Sequence, residues 1–362
     1  MSRRVDRSGV GAPRWGDAMM GRIRTLGRLA RAGDLRGRLT LFRDGTAAIR
    51  VAMMGAALES GVVDALAERP ATGESLAERL GGSDQSLLLP YLRLLEAAGV
   101  VRRRRGLWGL TSRGRRALAD DLVRAGYEGY AGYHTGLYRG LTAQLAGGPS
   151  RRDVEEQGEL IAKLSEGFDP FVDELLAGLV QERLPLRVLD LGCGAGQRLI
   201  GMMRAGPPVE GVGVEVDPAA AALAEAAIDR AGLDQRASIV RTDIAELVSR
   251  GPDGIGGPAD LALLANVIYY MPVSDRVELL AGCARLLRRG GALVVVTTAA
   301  EPTFFSRHFD LLLRAQGSGM ELPDLGELDA QLRAAGLTPQ RPRRLTPGQS
   351  LVAVVAERPG PV

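Results

Sequence analysis

A chain of 362 residues, 46% hydrophobic and 25% charged, has the length of about two domains and the composition of a globular protein, which excludes a fibrous or wholly disordered chain. Its formal net charge of +3 is unevenly spread: residues 1–45 hold eleven Arg against four Asp, while the remainder carries 35 Arg and Lys against 39 acids. A fold that reads nucleic acid would keep the positive charge on its folded part, and no run here reaches the roughly 20 apolar residues of a membrane span.

Residues 1–45 read as a basic, flexible leader rich in Gly and Arg, without the apolar core of a secretory signal. Residues 46–125 predict short helices followed by a hairpin. TAAIRVAMMGAALESGVVDALAE has apolar residues at helical spacing, ESLAERLGG is a helix stopped by paired glycines, and SDQSLLLPYLRLLEAAGVV opens on a Ser/Asp cap signal. VVRRRRGLWGLTSRG then supplies two short strands around an Arg-Gly turn. Helix, helix, helix, wing is the order of a winged-helix module. A recognition helix presents polar groups to base edges, whereas LLLPYLRLLEAA is built for burial, so nucleic-acid binding is the weaker reading and dimerisation the better one. Residues 126–183 form a helical connector, or lid, with Tyr127, Tyr130, Tyr133, Tyr138 and His134 clustered in it. From residue 184 to 362, apolar strand candidates (RVLDL, VEGVGVEVD, ASIVRTD, LALLANVI, GALVVVTTA, then a pair around 339–345 and SLVAVVAE) alternate with helices. Seven strands in such alternation predict a mostly parallel α/β sheet covered on both faces.

The stretch RVLDLGCGAGQ, residues 187–197, places three glycines after the first of these strands. As a dinucleotide fingerprint it fails, because Gln197 occupies the place of the last glycine of G-x-G-x-x-G. Asp190 also sits where a pyrophosphate at the helix N-terminus would meet a like charge. A ligand with an ammonium group would welcome that carboxylate, and S-adenosylmethionine is one. On this reading Gly192, Gly194 and Gly196 admit the ligand to the backbone, and Asp190 holds its amino group directly or through water. Glu215 at the next strand end chelates the ribose hydroxyls, and Asp243 with Ile244 at the third borders the adenine. Cys193 and Cys283 are far apart, which argues against a disulfide framework or cysteine zinc site and for a cytoplasmic location. No metal-ligand spacing occurs.

DLGCGAG with acids in register resembles the first motif of class I S-adenosylmethionine-dependent methyltransferases, over residues 185–357. The arrangement over residues 46–357 is similar to small-molecule O-methyltransferases that carry an N-terminal winged-helix dimerisation domain. The resemblance implies a Rossmann-like seven-stranded methyltransferase sheet, S-adenosyl-L-methionine as cofactor, a homodimer, and a small natural-product-like acceptor methylated on a hydroxyl or carboxylate oxygen. In that family a histidine after the fourth strand, in a segment like H-V-L-H-D-W, acts as base. This chain reads NVIYYMP, with Asn266 first and Tyr269 in the histidine's place. The candidates for acceptor chemistry are therefore Tyr269, as an orienting hydroxyl, and the two histidines of the chain, His134 and His308. Asn266 is expected to line the methionine end of the donor pocket. Methylation at nitrogen or carbon, a peptide carboxylate as acceptor, and a DNA-binding regulator that senses the cofactor are the competing readings. A nicotinamide oxidoreductase is disfavoured by Asp190 and Gln197.

Overall fold

Asp34 is the first residue described in the computed structural model, which covers residues 34–317, 319–346 and 350–360. The expected leader lies outside the described residues up to position 33. Its last part is not irregular: Asp34 accepts the Arg36 N–H at 3.0 Å and caps helix α1, Leu35–Glu59, as a short acidic side chain does at a helix N-terminus. The chain divides into two compact units at Arg115/Arg116, so the connector expected over 126–183 shares a unit with the sheet. Among the described residues no single helix is long and apolar enough to cross a membrane.

In the first unit, α1 buries Met53, Met54, Ala57 and Leu58 near its C-terminus, whereas Leu39, Leu41, Phe42 and Ile49 are exposed. Helices α2 (Val62–Glu68), α3 (Gly73–Arg79) and α4 (Gln85–Ala97) follow. Thr72 caps α3 and Asp84 caps α4. Leu88, Leu92 and Leu95 form the buried stripe of α4, at the spacing of one helix face. Strands β1 (Val101–Arg104) and β2 (Leu107–Leu110) pair as an antiparallel hairpin. Its two turn residues, Arg105 and Gly106, have φ of 50° and 82°, the left-handed pair that matches the twist of a two-residue hairpin.

The second unit opens with α5 (Asp121–Gly129), a π-helical turn Tyr130–His134, α6 (Thr135–Leu145), α7 (Gly158–Ser165) and α8 (Asp169–Arg183). Strand and helix then alternate through β3 (Arg187–Leu191), α9 (Gln197–Arg204), β4 (Glu210–Glu215), α10 (Pro218–Ala231), β5 (Ala237–Arg241) and α11 (Ile244–Arg250). After β6 (Ala259–Ala265), α12 (Arg276–Leu286) and β7 (Leu287–Thr298), α13 (Phe304–Arg314) and α14 (Leu325–Ala334) lead to the last strands. These are β8 (Thr338–Pro339), β9 (Arg343–Arg344) and β10 (Leu351–Glu357).

The strands form one sheet in the order β5-β4-β3-β6-β7-β10-β8, with β9 on β10. β5 through β7 are parallel and β10 runs antiparallel to β7. The penultimate strand expected near 339–345 is split into β8 and β9, each two residues long. Pro342 falls between them and has no N–H for a ladder. Successive residues of β3 go to opposite faces: Val188 joins one core with Leu176, Leu199, Leu261 and Val294, and Leu189 joins the other with Val212, Leu264, Leu280 and Leu293. A sheet packed on both faces needs such unbroken apolar strands. The order reverses between β3 and β6, and a crevice outside the carboxyl ends of the strands opens at such a switch point.

Candidate functional site

The turn after β3 is built on left-handed glycines, Gly192 (φ 80°), Gly194 (φ 53°) and Gly196 (φ 80°), a conformation that costs other residues strain. Gly192 and Cys193 donate to the Val214 carbonyl at 2.9 and 3.0 Å, which ties the turn to β4. Each glycine has its own task. A Cβ on Gly192 would stand 3.0 Å from Val267 Cγ2, and one on Gly196 would stand 3.1 Å from Ala224 Cβ. Gly196 thus brings α9 against α10 and is not among the residues lining the cavity, whereas Gly192 and Gly194 are.

That cavity, about 890 Å³, lies at the switch point. The turn residues Gly192–Ala195, Gln197 and Arg198 form one wall, and Glu215 and Val216 after β4 the next. Asp243 and Ile244 after β5, and Asn266, Val267, Tyr269 and Tyr270 after β6, complete the strand-end side. Gly158, Ile161, Lys163, Glu166 and Asp169, from the connector, line it as well. Asn266 has φ 58°, a left-handed position that Asn tolerates better than most side chains, and its N–H donates to Val296 O at 2.8 Å.

Asp190, at the end of β3, is 2% exposed. Its Oδ2 has no hydrogen-bond partner among the described residues. Burial pushes this carboxyl up to about 7, against the pull of Arg198 and the Leu199 N–H, and with a push from Glu215. A buried carboxylate oxygen left unpaired is costly. Glu215 accepts the Gly194 N–H at Oε2 and the Asp217 N–H at Oε1, both at 2.9 Å. Each oxygen keeps one lone pair for a hydroxyl donor. Asp243 caps α11 through Ala245 N–H at 2.7 Å, beside half-buried Ile244. A carboxylate with spare lone pairs and an apolar ledge therefore meet the glycine turn in one cavity, while Asp190, two residues before the turn, is not among the residues that line it. This donor set fits S-adenosylmethionine.

The aromatic residues after β6 are buried. Tyr269 is 3% exposed, packs edge-on against Tyr270 and Phe309, and burial holds its hydroxyl well above the usual tyrosine value. Tyr270 is also raised by burial. Neither histidine lines the cavity. Instead, the two meet each other: His134 Nδ1 lies 2.8 Å from His308 Nε2, and Tyr138 Oη lies 2.7 Å from His308 Nδ1. Both ring nitrogens of His308 are thereby satisfied. Burial lowers both histidines, His134 to about 4 with His308 adding to the effect. Sequence reasoning placed neither Arg198 nor Asp169 at the cavity. The signal for Arg198 was its position two residues past the last glycine of the turn. Asp169 carried none beyond its Asp-Pro pair opening α8. Among the described residues no group of three or more His, Cys, Asp and Glu is placed to hold a metal ion.

A methyltransferase-domain family model matches residues 188–291, the segment that carries the glycine turn and Asn266. The chain is 28% identical over 255 residues to the 3-hydroxy-5-methyl-1-naphthoate 3-O-methyltransferase of Streptomyces sahachiroi, covering 66% of this chain and 71% of that protein. The solved structure of the mitomycin 7-O-methyltransferase MmcR is similar with a TM-score of 0.72, 23% identity, and coverage of 91% of this chain and 99% of that one. CalO1, a methyltransferase of calicheamicin biosynthesis solved with S-adenosylhomocysteine bound, is similar with a TM-score of 0.60 and 22% identity, over 91% of this chain and 99% of that one. The two structural likenesses are likenesses of fold.

Proposed function

We propose that this chain, an S-adenosylmethionine-dependent methyltransferase, acts on a small, natural-product-like molecule whose reacting oxygen reaches the cavity already ionised. Relatives of the chain include both oxygen and nitrogen methyltransferases, and the naphthoate enzyme methylates a ring hydroxyl of an aromatic that also carries a carboxylate. The observation that carries the reading is the absence of a histidine from the cavity lining, together with two tyrosines whose hydroxyls are raised by burial. A base works best near the ambient pH, and these tyrosines hold their protons. Tyr269 and Tyr270 accordingly orient an acceptor by hydrogen bonding and do not deprotonate it. A carboxylate, or a phenol acidified by a neighbouring carbonyl, needs no base.

When bound, S-adenosylmethionine supplies a methyl carbon activated by its sulfonium. Asp190 would take its ammonium group, directly or through water, Glu215 the ribose hydroxyls, Asp243 and Ile244 the adenine border, and Asn266 the methionine end. Alignment of donor and acceptor is then the chain's main contribution, an effect that reaches about 7–11 kcal/mol in well-oriented reactions. The exposed Leu39, Leu41, Phe42 and Ile49 of α1 support pairing with a second copy through the first unit, and two free, buried cysteines support a cytoplasmic location.

Turnover of a matched acceptor series with S-adenosylmethionine, read by product mass and NMR, tests the proposal. The expected order of kcat/KM at pH 7.5 is carboxylic acid or acidified phenol above simple phenol by at least tenfold. Equal rates across the series, or methylation of an amine alone, would overturn it.

A further inference from the structure

The connector's side of the cavity has no role in holding the cofactor as assigned above. It contributes Val154, Ile161, Ala162, Lys163 and Glu166, a mostly apolar wall with one cation. Among the described residues lining the cavity only Lys163 and Arg198 are basic, and Arg198 already donates to Asp169 Oδ1 at 2.5 Å. Lys163, on α7, is held more loosely. Its Nζ stands 3.2 Å from Glu166 Oε2 and 3.4 Å from Asp121 Oδ2, beyond the roughly 2.7–2.9 Å of a tight charge-assisted hydrogen bond. Both carboxylates are themselves exposed, 49% and 82%, and exposed pairs of this kind add little to stability. An ammonium has three N–H donors and no acceptor, so one remains for a ligand.

We propose that Lys163 uses that N–H to hold an acceptor carbonyl conjugated with the reacting hydroxyl, which makes hydroxyaryl ketones and quinones the substrate class of the cavity. This rests on the ionised-oxygen reading above and chooses between the two acceptor types which that reading allows. A free carboxylate is the poorer match. Lys163, Asp121 and Glu166 together carry a net charge of −1, so a localised anion brought to the ammonium also meets two like charges. A conjugated carbonyl oxygen accepts the same hydrogen bond while its share of the charge is spread over the ring. Donation by a cation to that carbonyl draws charge away from the hydroxyl and favours its ionised form. The hydroxyl proton goes to solvent before methyl transfer. Ion pairing keeps the ammonium protonated, so Lys163 acts as a donor and not as the base.

Three bicyclic probes of similar shape test the assignment on the full chain with S-adenosylmethionine: 6-hydroxy-2-acetonaphthone, 6-ethyl-2-naphthol and 6-hydroxy-2-naphthoate. Wild-type kcat/KM is expected to rank the ketone about tenfold or more above each of the other two. In K163M the ketone should lose about 10- to 100-fold, the worth of a charge-assisted hydrogen bond, while turnover of the ethyl compound and affinity for S-adenosylhomocysteine stay within about threefold. K163R should recover part of the ketone's loss. The absorbance of the bound naphtholate supplies a readout that a merely structural role does not move. In the S-adenosylhomocysteine complex the ketone should ionise about one pH unit higher in K163M than in wild type. An unchanged ketone-to-ethyl ratio in K163M, equal losses on both probes, the same ionisation pH in both chains, or a wild-type preference for the naphthoate would overturn the proposal, as would a wild-type chain that turns over none of the three. Equal wild-type rates on all three would instead remove the ionised-oxygen reading on which the proposal stands.

Discussion

The second unit holds two clusters of perturbed titratable groups, and they are built on opposite plans. Around the turn after β3, Asp190 and Arg198 each keep a buried polar atom without a partner among the described residues. Around the π-helical turn, Tyr138, His308 and His134 hydrogen-bond in series, and both nitrogens of His308 are used. Burial shifts the pKa in both places. The shift alone therefore does not distinguish a binding site from a structural tie. Position does: the glycine turn and Arg198 line the cavity, whereas neither histidine lines it and their series is complete without a ligand.

The largest expected effect separates the two clusters directly. Asp190→Asn should lower S-adenosylhomocysteine affinity by more than 100-fold, since it removes the only charged partner proposed for the ammonium group. The same variant should be more stable than wild type at pH 8. A carboxyl whose folded value is near 7, against 3.8 ordinarily, penalises the folded state once it ionises, by up to about 4 kcal/mol. Calorimetry and thermal melts read the two changes. Undiminished binding would end the contrast between the clusters.

Acid should weaken the cofactor before it weakens the fold. Asp190 must be ionised to receive an ammonium, so wild-type affinity for S-adenosylhomocysteine should fall by up to tenfold per pH unit below about 7, and the slope should vanish in Asp190→Asn. A pH-independent affinity from 7.5 to 5.5 would contradict the placement.

The smallest effect on ligand binding belongs to the histidines. In His134→Phe, S-adenosylhomocysteine affinity and kcat/KM on an acidic acceptor should stay within threefold. Stability should change instead. The fold keeps His134 neutral down to about 4, while the unfolded chain takes up a proton near 6.5, so wild-type stability is full above 6.5, declines as pH falls through that window by about 3 kcal/mol, and levels off below 4. The variant should show a shallower acid slope in its melting temperature. A 100-fold loss of kcat at unchanged cofactor affinity would move this cluster into the chemistry.

That the glycine turn and the following strand ends meet in one cavity was legible in the sequence because its signals are local. Glycines demanded by positive φ, an acid two residues before them, and acids at the next two strand ends all follow from strand–turn–helix spacing, and Gly192, Glu215, Asp243 and Asn266 do share one cavity. Gly196 was assigned to the ligand, but its Cβ position is filled by Ala224, a long-range packing fact that no local pattern carries. The meeting of His134 with His308 spans 174 residues and was equally hidden; composition showed that the chain has two histidines, not that they touch. The helical start at Leu35 was missed because the arginine count outweighed the Asp34 cap.

Lys163, which lines the cavity and lies 3.2 Å from Glu166 and 3.4 Å from Asp121, is the only lysine in a chain of 362 residues. Its ion pairs keep the amine protonated, so acylating reagents would act on it slowly near neutrality and faster in alkaline buffer. Once the more acidic α-amine has been blocked near neutrality, a fluorophore attached through that amide would sit on the wall of the cavity, and its emission would follow occupancy in real time.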